Sequence, residues 1–224
     1  MRKIQRLAAV GAMAALTVAL GACSSEQTAA PEAPAPAEEP AAPSEAETPT
    51  SGITEISDIF GPACSQVPAT GEGSAQGMVD DPVATAASNN PLLKTLTAAV
   101  TAANLGDTLN SAEALTVFAP ADPAFADLET KTPGITKQLT TDPNVASPDS
   151  KLATILKYHV VGKRYNAEGL VEAGSVETLQ GDKVTIAGTE MAPTVNGAQV
   201  LCGNIPTKNA TVFVIGQVLT PPAS

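Results

Sequence analysis

Between Ser24 and Gly52 the sequence holds six prolines and six glutamates, and no lysine, arginine or aromatic residue. Such a stretch lacks the apolar surface that would offset the entropy of ordering it. Its prolines favour extended polyproline II, and its glutamates repel one another. It reads as a semi-rigid tether with a reach of about 90 Å at about 3.1 Å per residue. Whatever folds must be built from the residues after Gly52, and no second tether divides residues 80–224. That leaves room for one domain of ordinary size, with an irregular approach over residues 53–79.

Charge and composition narrow the functions open to that domain. Acidic residues outnumber basic ones 23 to 12 in 224 residues, for a net charge of −11. A nucleic-acid binder needs a basic surface to displace counterions, so that class is excluded as a general reading. One histidine rules out a multi-histidine metal site, and three cysteines rule out a four-thiolate cluster. No metal or cofactor is expected. Aromatic content of 3% leaves little material for stacking on bases or sugars.

The first 22 residues read as an address. Arg2, Lys3 and Arg6 precede an apolar run, Leu7–Leu20, that is shorter than the ~20 residues a bilayer requires. Basic head, short apolar body and small residues before a cut describe an export signal. The run ends Leu20-Gly21-Ala22-Cys23, which resembles a bacterial lipobox. That motif implies a diacylglyceryl group on Cys23, removal of residues 1–22 and a palmitate-type anchor in the cell membrane. An ordinary secretory signal containing a chance cysteine is the alternative. Residues 23–52 then comprise the lipidated cysteine and the tether, in which Thr48 and Thr50 are candidate O-glycosylation sites. The expected location is the extracytoplasmic face of the membrane, with shedding or secretion as the alternative.

With Cys23 carrying lipid, Cys64 and Cys202 remain. An even remainder in an oxidising compartment points to a disulfide. It would pin residues 53–79 onto the late strands. A redox or metal pair is the alternative, but no CxxC spacing or nearby histidine accompanies it.

The periodicity predicts helices first and strands later. Asp81-Pro82 and Asn90-Pro91 open helices, the second with Asn90 as cap and Leu92, Leu93, Leu96, Ala99, Val100 and Ala103 on one face. Leu115–Ala119 is a β-prone run, and Asp122-Pro123 starts another helical turn. Ser147-Pro148-Asp149 caps a helix carrying Leu152, Ile155 and Leu156. After His159 the period becomes two, with strands at 176–179, 183–186, a hairpin about Asn196-Gly197, and Thr211–Val218 as a central strand. The order places the fold in the α+β class.

Two stretches carry a family resemblance. Thr116-Val117-Phe118-Ala119-Pro120 with Ala124-Phe125, followed by Leu156-Lys157-Tyr158-His159-Val160-Val161, resembles the two signature boxes of the fasciclin-type adhesion domain (FAS1). Thr211–Leu219 resembles its closing strand. Asp81–Pro91, Asp107–Ser111 and Val200-Leu201-Cys202-Gly203 are similar to the secreted and lipid-anchored fasciclin antigens of mycobacteria. The resemblance covers residues 80–221. It implies a β-sandwich or wedge flanked by short helices, a disulfide between the cysteines before and near the end of the domain, and adhesion or binding with no established chemistry. The implied partners are extracellular matrix, a host receptor or an envelope ligand, with the protein a monomer. In animal relatives the Tyr-His region is implicated in receptor contact, which makes Tyr158 and His159 candidate contact residues here. The residues themselves favour a structural role for His159 at the helix-to-strand junction, where an imidazole can bond a backbone group through one nitrogen and a side chain through the other.

No catalytic pattern competes. His159 would have to serve as the base of any hydrolase triad, and no G-x-S-x-G elbow is present. The chain is therefore read as non-enzymatic, with Lys163-Arg164 a solvated pair and the Asn209-Ala210-Thr211 sequon without consequence. A carrier of a small apolar or lipid ligand is the alternative function, which the aliphatic-rich composition allows.

Overall fold

The computed structural model describes residues 52–222. The signal segment, Cys23, Thr48, Thr50 and the tether up to Ser51 lie outside the described residues. Within them run α1 (Ala75–Met78), α2 (Val83–Asn89), α3 (Lys94–Ala102), α4 (Gly106–Ser111), β1 (Leu115–Pro120), α5 (Asp122–Lys131), α6 (Ile135–Thr141), α7 (Lys151–Tyr158), β2 (Val160–Val161), α8 (Ala167–Ala173), β3 (Ser175–Glu177), β4 (Lys183–Thr189), β5 (Ala192–Val195), β6 (Ala198–Pro206) and β7 (Ala210–Ile215). No helix among the described residues is long and apolar enough to cross a membrane.

The strands form one sheet in the order β2-β1-β7-β6-β5-β4-β3. Strands β1 and β7 run parallel, Leu115 opposite Ala210 through Pro120 opposite Ile215, and the other neighbours are antiparallel. Beyond β3, the Leu179 N–H donates to the Val160 carbonyl of β2 at 2.7 Å. The sheet thus curls until its two edges meet, which leaves few unpaired edge groups.

β1 and β7 are buried at every position. Their largely apolar runs, interrupted only by Thr116 and Thr211, have this cause, since a strand covered on both faces needs no polar alternation. Leu115, Val117, Ala119, Val212 and Val214 face an outer core made with the helices. Phe118, Phe213 and Ile215 face an inner core inside the curled sheet, with Tyr158, Leu170, Val184 and Val195. The Phe118 and Phe213 rings lie 6.1 Å apart. Phe125 does not share that core with Phe118. It packs half-buried against the outer one, because the Pro120 turn moves the chain to the helical side.

Local chemistry explains several boundaries. Asn196 (φ 49) and Gly197 (φ 81) both take the left-handed conformation that a two-residue hairpin turn requires. Asn90 closes α2 and its Oδ1 accepts from Leu92 N–H, forming a turn; α3 therefore begins at Lys94 instead of at Pro91. Ser150, and not Ser147, caps α7, its Oγ accepting from Ala153 N–H at 3.1 Å. Helices α1, α4, α6 and α8 lie where the periodicity predicted none.

The approach to the domain is held by β6 and β7. Thr211 Oγ1 donates to the Gly52 carbonyl at 2.9 Å. Phe60 and Gly203 exchange backbone bonds at 3.3 and 2.8 Å. A Cβ on Gly203 would lie 2.5 Å from Phe60 Cζ, so only glycine lets that ring cross the strand. Cys64 and Cys202 form the expected disulfide, S–S 2.01 Å, across 138 positions.

Candidate functional site

His159 follows the last residue of α7 and is 2% exposed. Its Nε2 lies 2.9 Å from Leu219 N, and its Nδ1 lies 2.8 Å from the Ile155 carbonyl. An amide can only donate and a carbonyl only accept, so Nε2 is bare and Nδ1 carries the proton. Burial pushes the imidazole pKa down to about 4, opposed by the Ile155 bond. Both partners are backbone, not one backbone and one side chain as the sequence reading proposed. The ring fastens the end of α7 to the chain after β7 and has no free nitrogen for a substrate.

Tyr158 is equally buried, at 2%. Asn196 Nδ2 donates to its hydroxyl at 2.7 Å, and the hydroxyl donates to the Lys183 carbonyl at 3.3 Å. It thus ties α7 to the Asn196-Gly197 turn and β4. Neither ring of the Tyr158-His159 pair offers surface to a macromolecular partner in this structure.

Two further residues do work that the sequence reading missed. Arg164 is not a solvated charge. Its Nε donates to Thr211 Oγ1 at 3.1 Å, and its Nη2 to the Thr207 and Ala210 carbonyls at 3.0 and 2.9 Å. Asn209, the sequon residue, is 7% exposed. Its Oδ1 accepts from Val83 N–H, and its Nδ2 donates to the Leu109 and Ala112 carbonyls. That one amide joins α2, α4 and the start of β7. No local sequence signal marks either role, since each partner lies 40 or more positions away.

Among the described residues no three His, Cys, Asp or Glu side chains gather as a metal site would require. What the helical layer does contain is apolar space. One cavity of about 490 Å³ lies between α2, α3, α4 and the β1–α7 face, with Val83, Ala84, Ala87, Val100, Leu105 and Leu109 in its walls. A smaller one of about 210 Å³ lies among α3, α5, α6 and α7. Leu96, Leu156 and His159 line both and form the partition. The sequence carried one sign of the larger space: α2 and α3 present mainly Ala, Val and Thr, which leave volume that leucines would fill.

The fasciclin domain family model matches residues 91–221. The chain belongs to the fasciclin domain family. The fasciclin domain here uses residues before the matched range as well, for Met78, Val83 and Ala86 sit in its outer core. The chain is 45% identical over 174 residues to the immunogenic protein MPB70 of Mycobacterium bovis, covering 74% of this chain and 84% of that one. It is 41% identical over 227 aligned positions to the cell surface glycolipoprotein MPB83 of the same species, covering 96% of each. A solved FAS1 domain pair from the insect cell adhesion molecule fasciclin I matches with a TM-score of 0.57 at 18% identity, over 65% of this chain. This chain spans about half of that pair, 52% of its length, and the likeness is one of fold.

Proposed function

We propose that the protein is an envelope-anchored binding module. A lipid on Cys23 holds it to the outer face of the cell membrane, the Ser24–Gly52 segment spaces it outward, and the fasciclin domain supplies an adhesive surface without catalysis. The observation carrying this reading is the alignment with a cell surface glycolipoprotein over 96% of both chains, which is too long to be confined to the matched fasciclin domain. The sealed His159 ring agrees with it, since the chain's one imidazole is spent on backbone bonds.

The test is a pull-down from envelope and matrix extracts with the exported protein as bait, set beside the binding of cells lacking it. Retention of a defined envelope or matrix component, lost with the gene, supports the reading. Unchanged cell binding across a broad ligand panel defeats it. A second reading, carriage of a small apolar ligand at the envelope, is favoured by the cavity of about 490 Å³, a volume within the range of small-molecule sites.

A further inference from the structure

The chain after β7 is fastened in one place. Among the described residues, 217–222 make a single hydrogen bond, from the Leu219 N–H to His159 Nε2 at 2.9 Å. The Gly216 N–H, just before them, still bonds the Gln199 carbonyl at 3.0 Å, and Pro221 and Pro222 have no N–H to give. Leu219 is 4% exposed and packs in the inner core, whereas Val218 and Thr220 on either side of it form part of the wall of the smaller cavity. The segment is therefore a strap across that cavity, hinged near Gly216 and latched by a bare ring nitrogen. A protonated Nε2 would turn a donor toward a donor, and the latch has no second bond to fall back on.

We propose that residues 217–222 are an acid-released strap: when Nε2 takes a proton the Leu219 bond is lost, the strap lifts from Gly216 onward, and the smaller cavity loses the wall that Val218 and Thr220 supply. The Nδ1 proton stays on the Ile155 carbonyl, so the ring keeps its place at the end of α7 while its partner leaves. The ring separates the two cavities, and the groups that face it are those of their linings. α4 supplies the exposed Asp107 there, and α7 supplies Lys157, whose ammonium is 2.7 Å from the Pro148 carbonyl. α2, α3, α5, α6, β1, β2 and the strap supply no titratable side chain to either lining. Burial, and not a neighbouring charge, keeps the imidazole neutral. Lifting the strap uncovers Nε2 and removes that cause, so release and protonation favour each other. The β1–β7 ladder stays paired, which makes the event a local opening and not unfolding. It depends on neither the adhesive nor the carrier reading.

The test is native-state amide hydrogen exchange, followed by NMR on the exported full chain carrying Cys23→Ala and corrected for the intrinsic effect of pH. With the ring near 6.5 when uncovered and about 4 when covered, protection of the Leu219 amide falls about 20-fold from pH 7 to pH 5. Amides of β7 stay better protected than Leu219 at both values. His159→Gln keeps an acceptor for the Leu219 N–H and cannot titrate, so its Leu219 protection changes less than about twofold. Asp107→Asn, at an exposed position, keeps the wild-type fall. Leu219 protection that is constant between the two pH values overturns the latch. Exchange of Leu219 in step with β7 overturns the strap, since the opening is then global. A fall that persists in His159→Gln, or vanishes in Asp107→Asn, assigns the switch to another group and overturns the role of His159. If the glutamine variant does not fold, the wild type and Asp107→Asn decide alone.

Discussion

The sealed state of His159 makes acid stability a sharp test of the structure. In the unfolded chain its imidazole titrates near 6.5, and in the fold burial holds it at about 4. Between those values the unfolded state takes up a proton that the native state refuses. The native state is therefore favoured fully above pH 6.5, and this advantage is lost as pH falls toward 4. Each pH unit across that window removes about 1.4 kcal/mol, so the whole descent removes about 3 kcal/mol. For a domain of this size that is a melting-temperature drop of roughly 6–12 °C. Carboxylates titrate over part of the same range, so the measurement is a difference between wild type and His159→Gln. The variant starts lower, having lost one or both buried backbone bonds, but declines about 3 kcal/mol less from pH 7 to pH 4. Because the chain has one histidine, imidazole resonances need no assignment and report the native pKa directly. Parallel decline of the two proteins, or a native ring titrating near 6.5, would refute the buried neutral arrangement.

Other residues give independent checks. Cys64→Ser should cost about 2–5 kcal/mol in urea unfolding, and thiol titration of the exported protein should find neither Cys64 nor Cys202 free. Asn209→Ala orphans the Val83 amide and two carbonyls, and should cost about 2–3 kcal/mol by the same assay. Arg164→Lys cannot reproduce the fork onto Thr207, Ala210 and Thr211, and should cost about 1–3 kcal/mol, with faster amide exchange at Gly52–Thr54 as the local sign.

Legibility followed the physics of each segment. β7 and β1 were readable because strands covered on both faces are largely apolar, and the β5–β6 hairpin was readable because Asn-Gly meets its backbone demand cheaply. The start of α3 was misread since Asn90-Pro91 serves equally as a helix opening and as a turn. α8 was missed although its signs were present: Asn166 caps Gly169 N–H, and Gly174 ends the helix at φ 64. Its single turn pair of buried residues, Ala167 and Leu170, gives too short a pattern to stand against the strands around it. Of the candidate site residues, Tyr158 and His159 were found as a pair, but their burial depends on β4, β5 and the residues after β7, which no local pattern encodes. The larger cavity left only the small side chains of α2 and α3 as a sign, because empty space is a property of three helices together.

The proposed envelope anchoring of the fasciclin domain stands or falls with a lipid on Cys23. The most direct measurement is the intact mass of the cell-associated protein from its own host, after delipidation and before it. With the proposed anchor, the chain begins at Cys23, is heavier by a diacylglyceryl group before delipidation, and is released from cells when Cys23 is replaced by Ala. A chain that still begins at Met1, or one whose mass carries no lipid and whose cell association ignores Cys23→Ala, would contradict it.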